Sequence, residues 1–453
     1  MFQTLINAWK IVEIRKKLLF TALIVLIFRI GSAVPVPFVS IGAEGILAGQ
    51  ENAGTFMNYL TMMTGNAFNY GTIFAMSITP YINSSIIMQL LAVAIPYLER
   101  LQKEGEVGRK KIAAITRYVT VILGIMQSTA YYFYLRNGNF LSTNAAGERF
   151  TGGWAVFQAF IIILCFTAGV ALLMWLGEQI NDKGIGNGIS IILFAGIVSR
   201  MPTLIAQLFS TNPQIGYIAR GGPFYVLSPL VAVLLILMIA FIVWMDNAER
   251  RLPVQYAKRV VGRKMYGGQS THIPIKVNMS GVMPVIFASS ILSLPPTVKM
   301  FMTVEEGSGL DKFFNLFSQE HWFYTIIYFF MIIGFAFFYA TIQYNPIEMA
   351  NNIRKNSGTI PGIRPGDPTA KFIAKILSRI TLLGALLLSV IALFPIVFSQ
   401  VTTLILTKGF DHPSGMNVSL GGTSIIIMVG VALETTKQLE SQMMLRHYKG
   451  FLD

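Results

Sequence analysis

Few residues in this chain are of the types that run covalent chemistry. The four histidines, His272, His321, His412 and His447, are scattered. None sits in an HExxH pattern or beside a cysteine, so a metal site is not expected. The single cysteine, Cys165, lies in an apolar run and has no partner for an intrachain disulfide. No GxxxxGK[ST] phosphate loop is present, which removes ATP hydrolysis by that route. Gly184, Gly186 and Gly188 imitate a nucleotide-binding glycine loop, but they follow an apolar span rather than a strand, and they read as a tight turn. Ionisable groups within the apolar runs come to Arg29, near the outer end of the first, and Glu434, near the inner end of the last. Coupled carriers and intramembrane proteases place such groups at mid-membrane. Neither class fits, and no catalytic residue, metal ligand or cofactor is expected.

The elements that would carry any function are apolar and long. Of 453 residues, 54% are hydrophobic and 12% charged, with a mean hydropathy of +0.60. Soluble domains carry about 25% charged residues, so a water-solvated globule and a disordered chain are both excluded. Helices satisfy their own backbone groups and are the default for crossing a bilayer. Ten spans are predicted at about 18–36, 73–95, 113–135, 154–176, 188–208, 224–245, 280–298, 322–344, 373–397 and 421–437, the first read as a retained span rather than a removable signal peptide. With the N-terminus inside, 27 Lys and Arg fall in inside segments and 7 outside, Arg29 lying within the first span. That asymmetry supports ten spans with both termini cytoplasmic.

The net charge of +14 therefore sits in cytoplasmic loops, two of them long, at 246–279 and 345–372. Their basic residues suit anionic lipid. Their turn formers, Gly267-Gly268, Pro361-Gly362 and Pro365-Gly366, suggest projecting hairpins for a polyanionic or acidic partner, RNA and acidic protein being equally open. The spans at 73–95 and 280–298 hold neutral polar residues, among them Asn83, Ser84, Gln89 and Ser290. These serve either helix packing or a face that parts from its neighbour. The segment 56–70 is apolar but too short to cross, so it is interfacial or re-entrant, and a re-entrant segment must be enclosed by protein.

The run YLTMMTGNAFNYGTIFAMSITPYINSSIIMQLL, then LERLQKEGEVGRKKIAAITRY and GEQINDKGIGNGISIILFAGIV, resemble the SecY family of bacterial protein-conducting channels. So do RRLPVQYAKR, VMPVIFASSIL, NPIEMANNIRKNSGTIPGIRPG and the final RHYKGF, in family order from about residue 10 onward. The resemblance implies an all-α polytopic membrane protein with ten transmembrane helices in two pseudosymmetric, inverted five-helix halves, 1–210 and 211–453, around a central pore. It implies a pore ring of Ile78, Ile82, Ile189, Leu193, Ile286 and Ile427. The pairs 78/82 and 189/193 are spaced i,i+4 and so share a helix face, and a belt of branched apolar side chains resists ions.

Further parts follow from the same resemblance. A plug would span 56–70, with Phe56, Leu60, Met63, Gly65 and Phe68. A lateral gate would run along spans 73–95 and 280–298, with Asn83, Gln89, Ser290 and Leu294. Leu294-Pro295 stands where the family often has Phe-Pro, and Asn83-Ser84 replaces a commoner small pair. Docking residues would be Arg250, Arg251, Lys258, Arg259 and Arg364. The implied partners are the SecE and SecG subunits, the SecA motor ATPase, the ribosome with its ribosomal RNA, signal sequences and nascent polypeptides, and membrane lipids. The implied setting is the plasma membrane of a bacterium, and the implied activity is passive, non-enzymatic conduction of unfolded polypeptide with lateral release of membrane segments. A secondary solute transporter with an inverted repeat and a ribosome-holding scaffold are the alternatives.

Overall fold

The computed structural model describes residues 2–42, 45–46, 61, 64–143, 149–210, 216–256, 259–261, 264–266, 270–301, 308–318, 321–409 and 422–449. Of the residues named above, Phe56, Leu60, Met63, Lys258, Gly267, Gly268 and His412 lie outside this set, as do the side chains of Arg259 and His447. The chain divides into two compact units. One comprises residues 1–229, 292–321 and 416–453, and the other 230–291 and 322–415.

In the first unit, α1 (Phe2–Lys10) and α2 (Val12–Gly31) precede an irregular stretch that ends at α3 (Thr79–Ala94). Pro80 occupies the first turn of α3, where a missing N–H costs nothing. The extended Ile95 before Pro96 ends the helix, because α geometry is disfavoured before proline. The chain then bends by 105° into α4 (Pro96–Lys103). Long helices α5 (Glu106–Asn137) and α6 (Gly153–Lys183) pack side by side, and α3 lies on α5. A turn through Gly184–Gly186 leads to α7 (Gly188–Val198), capped by Asn187, whose Oδ1 accepts from the N–H groups of Ile189 and Ser190. Helix α8 (Met201–Phe209) continues it after a break at Ser199-Arg200.

Helix α9 (Phe224–Asn247) runs from the first unit into the second. A hairpin follows, with β1 (Glu249–Tyr256) and β4 (Ser270–Lys276) antiparallel and β2 (Arg259–Val261) pairing with β3 (Lys264–Tyr266) inside it. Helix α10 (Met283–Leu292) breaks before Leu294-Pro295-Pro296, and α11 (Leu294–Phe301) belongs to the first unit, where it packs on α5. There the short α12 (Gly309–Leu316) is tied to α11 by Lys299, whose Nζ lies 2.8 Å from Asp311 Oδ1 and 3.0 Å from Asn315 Oδ1. The second unit resumes with α13 (Trp322–Gln343), α14 (Pro346–Lys355), β5 (Gly358–Thr359) and α15 (Asp367–Gly409), and α16 (Gly422–Lys449) returns to the first.

The protein is thus a mainly helical, polytopic membrane protein, but its spans are less regular than the sequence pattern suggested. Among the described residues, six helices are long and apolar enough to cross a membrane, with a seventh if the bent pair α3–α4 counts as one. The count of ten is not reached on length and apolarity alone, for three physical reasons. Charges crowd the start of α2 at Glu13, Arg15, Lys16 and Lys17. The apolar part of α16 stops at Glu434. Proline divides the span expected at 280–298, leaving only a shorter apolar helix, Met283–Pro296.

The two long basic loops differ more. They are not two hairpins but one body, because β5 from the second loop adds to β1 from the first, through Gln255 opposite Thr359 and Tyr256 opposite Gly358. Leu252 and Val254 point inward and Arg251, Pro253 and Gln255 outward, the period of two that a half-buried strand imposes. The buried pair joins Ile275, Met279, Ala350, Ile353, Ile360 and Ile373 in one core. Helix α14 is locked by Asn345, whose Oδ1 accepts from Ile347 N–H at 3.1 Å and Glu348 N–H at 3.4 Å, with Pro346 in its first turn. Removing a buried Leu side chain from such a core typically costs about 2–5 kcal/mol. Leu252→Ala is therefore expected to speed protease cleavage within both 246–279 and 345–372 together while the membrane helices stay intact; cleavage of one loop alone would contradict a shared core.

Candidate functional site

The irregular backbone at 64–78 is the least ordinary feature of the first unit. Over 64–78 the backbone is a string of turns, while residues 56–60, 62 and 63 of the short apolar segment expected at 56–70 lie outside the described residues. An open backbone at membrane depth is tolerated only when protein encloses it, and here it is enclosed. Thr64, Ala67, Phe68, Thr72, Phe74, Ala75, Met76 and Ser77 are all buried. Phe68 packs on Tyr131 at 4.4 Å between ring centroids, and Tyr131 stands edge-on to Phe166 at 5.1 Å. These rings belong to a core that joins the segment to α5 and α6.

Many of its polar groups are satisfied one by one. The Tyr131 hydroxyl donates to the Phe68 carbonyl. The Thr64 hydroxyl accepts from the Phe68 N–H at 3.1 Å, and the Thr72 hydroxyl donates to the Ala67 carbonyl at 3.2 Å. Arg29, the charged residue near the end of α2, donates Nη1 to the Gly65 carbonyl at 3.3 Å. Close approach is made possible by glycine. A Cβ at Gly169 of α6 would lie 2.1 Å from the Ile73 carbonyl oxygen, and one at Gly31 of α2 would lie 2.1 Å from the Phe74 ring. Gly65, at φ +63°, sits against α7, where a Cβ would meet the Gly196 oxygen at 2.9 Å.

The segment feeds directly into the residues assigned to a pore ring. Ser77, at φ +50°, is buried, and its hydroxyl has no hydrogen-bond partner among the described residues. Ile78 follows, buried, and its carbonyl accepts from Ile82 N–H at 3.0 Å, placing both on one face of α3. Leu193 and Ile427 are buried and Ile189 half-buried, and the helices that carry them, α7 and α16, pack together. Five of the six ring candidates therefore belong to one unit, while Ile286, half-buried, lies on α10 of the other.

The gate candidates have diverse surroundings. Ser84 donates to the Thr116 carbonyl at 2.8 Å, clamping α3 to α5. Gln89 turns to Ser85 on its own helix, Nε2 to Oγ 3.4 Å. Asn83 is half-buried, and its buried Oδ1 has no hydrogen-bond partner among the described residues. Leu294 is exposed and Ser290 half-buried. Of the docking candidates, Arg250, Arg251 and Arg364 are exposed on the body formed by the two basic loops, with Arg251 Nε 2.8 Å from Glu249 Oε1. Arg29 and Ser77 escaped the site list drawn from sequence. Arg29 had a signal, a charge inside an apolar run, whereas the strain at Ser77 has none in a one-dimensional pattern.

Apolar helices that enclose an irregular segment beside buried branched residues are those of a polytopic membrane protein. A model of the SecY family matches residues 72–436. The protein translocase subunit SecY of Streptomyces galbus is 43% identical over 450 residues, which is 98% of each chain. Two solved structures share the fold, a protein-conducting channel with a TM-score of 0.59 and Sec61 in the canine ribosome-channel complex with 0.55. Each is 17% identical, over 94% of this chain and 92% of the other. The chain belongs to the SecY family, the non-enzymatic channel subunit of the protein translocase.

Opposite outcomes are expected at two positions of the enclosed segment. Gly169→Ala must push the Ile73 backbone aside, and overpacking of this kind costs about 1–3 kcal/mol, so the thermal unfolding midpoint falls. Ser77→Gly removes a left-handed side-chain conformation that costs about 1–2 kcal/mol and an unpartnered hydroxyl, so the midpoint rises. A rise for Gly169→Ala or a fall for Ser77→Gly would contradict the packing described.

Proposed function

We propose that this chain is the passive polypeptide-conducting pore of a Sec-type translocase, with residues 56–70 as plug and the two halves 1–210 and 211–453 as the pseudosymmetric walls. The observation that carries the reading is the enclosed segment 64–78, which delivers Ile78 and Ile82 from a buried turn onto α3. Branched apolar residues at a constriction exclude ions by dewetting and yet bend around a passing chain, because no charge has to be desolvated. Ile78, Ile82, Ile189, Leu193, Ile286 and Ile427 form this ring. The plug comprises Gly65 and Phe68 with the remainder of 56–70 and lies beneath it. Asn83, Gln89, Ser290 and Leu294 line the exit to lipid, where signal sequences and membrane segments leave. Neutral polar side chains suit that exit, since they separate without exposing a charge to hydrocarbon.

The channel has no energy source of its own, so a partner must push. The cytoplasmic body supplies a rigid landing place. Arg250, Arg251 and Arg364 are exposed on it, and Lys258 and Arg259 belong to the same loops. A basic projection of fixed shape fits the phosphates of ribosomal RNA or the acidic surface of a motor such as SecA. The ribosome-bound Sec61 structure supports the first. SecE and SecG complete the complex by family resemblance, in the plasma membrane of a bacterium with both termini cytoplasmic, as the 27 to 7 charge asymmetry supports.

A stalled secretory chain is expected to crosslink to a photoreactive residue at Ile82 and, separately, at Ile286. Absence of both crosslinks, with solute uptake by the purified chain, would establish a carrier instead. Arg364→Glu is expected to abolish motor-driven secretion while leaving assembly in the membrane intact. Normal secretion would remove Arg364 from the docking surface.

A further inference from the structure

Arg29 has no place in the pore, the gate or the docking surface, yet it is the one charged residue in the apolar run of the first span. A charge in such a position is costly to insert, and when it is found there it has a partner and a task. Its partner is in the plug segment. Nη1 of Arg29, in the last turn of α2, donates to the carbonyl oxygen of Gly65 at 3.3 Å, 36 residues along the chain.

The carbonyl it holds is aimed by the turn that contains it. Gly65 and Asn66 both take positive φ, +63° and +77°, so the backbone reverses at this point. On its other side, Gly65 rests on α7. A Cβ there would meet Ser199 Oγ at 2.8 Å and the Gly196 carbonyl at 2.9 Å, and Ser199 Oγ in turn donates to the Gly196 carbonyl at 2.7 Å. The turn is therefore held between two helices of the same unit, α2 through a charge-assisted hydrogen bond and α7 through direct backbone contact. The two grips differ in what they cost to release. Contact with α7 is made through uncharged groups, the Ser199 hydroxyl and the Gly196 carbonyl, whereas the bond to the exposed Arg29 is charge-assisted and the stronger of the two.

We propose that Arg29 is a positioning residue that latches the plug shut, its bond to the Gly65 carbonyl being broken whenever the plug leaves. The latch rests on the channel reading above, and it deepens that reading by assigning a lock to the resting state. Guanidinium geometry matters to it. Nη1 reaches the carbonyl while the other N–H groups remain free to meet water or lipid phosphate, which a compact lysine ammonium satisfies less well.

The test uses the complete translocase complex in vesicles of phosphatidylethanolamine and phosphatidylglycerol, with resting potassium leak as the readout and assembled complex quantified in each preparation. Arg29→Met, which keeps an apolar stem, is expected to raise the leak about tenfold. Arg29→Lys is expected to recover part of the seal. Deleting 56–70 is expected to raise the leak by itself, and adding Arg29→Met to that deletion is expected to change nothing further. An unchanged leak in Arg29→Met beside a leaky deletion overturns the latch and leaves the channel standing. An equal rise from Arg29→Met in the deleted channel also overturns the latch, because it shows that the residue acts on the helix bundle and not on the plug. No rise in either variant overturns the plug itself, and the latch with it.

Discussion

Everything in the first unit follows from one constraint, that a backbone without regular structure cannot sit among apolar helices with its N–H and C=O groups unpaired. Residues 64–78 meet it by borrowing partners from all sides. Tyr131 comes from α5, Arg29 from α2, and the threonines at 64 and 72 from the segment itself. Glycines at 31 and 169 let the neighbouring helices close in until there is no room for a side chain. The arrangement is tight without being welded, since few of these bonds join the segment to any single helix.

Local strain is concentrated at the join between this segment and α3. Ser77 holds a left-handed conformation and a buried, unpartnered hydroxyl immediately before Ile78. Such costs persist only where surrounding packing over-determines the conformation. The strained residue stands between the enclosed turns and the first residue of the approach to α3. Ser84, clamped to the Thr116 carbonyl two turns later, marks where α3 becomes firmly anchored to α5.

Much of the candidate site was legible in the chain because the relevant signals are local. The i,i+4 spacing of Ile78 with Ile82 and of Ile189 with Leu193 acts over about one helical turn. Gln89 shows where locality fails. Among the described residues its amide donates to Ser85, one turn away on the same helix, a contact that its place on an apolar helix does not announce. The union of the two long basic loops failed for the same reason. The pairing of Gln255 with Thr359 spans about a hundred residues, and nothing in either loop's own pattern announces the other.

Sequence alone determined that the chain lives in a membrane and which family it joins, because hydropathy and motif order are additive along the chain and need no partner. Tertiary structure decided what the charges and glycines are for. Arg29 is an anomaly in a hydropathy profile, and it becomes a hydrogen-bond donor only when α2 is set beside residue 65. Gly169 is one small residue among many until the Ile73 carbonyl is laid on it. Such contacts depend on which helices are neighbours, and that choice is made by the packing of whole surfaces rather than by any residue's own type.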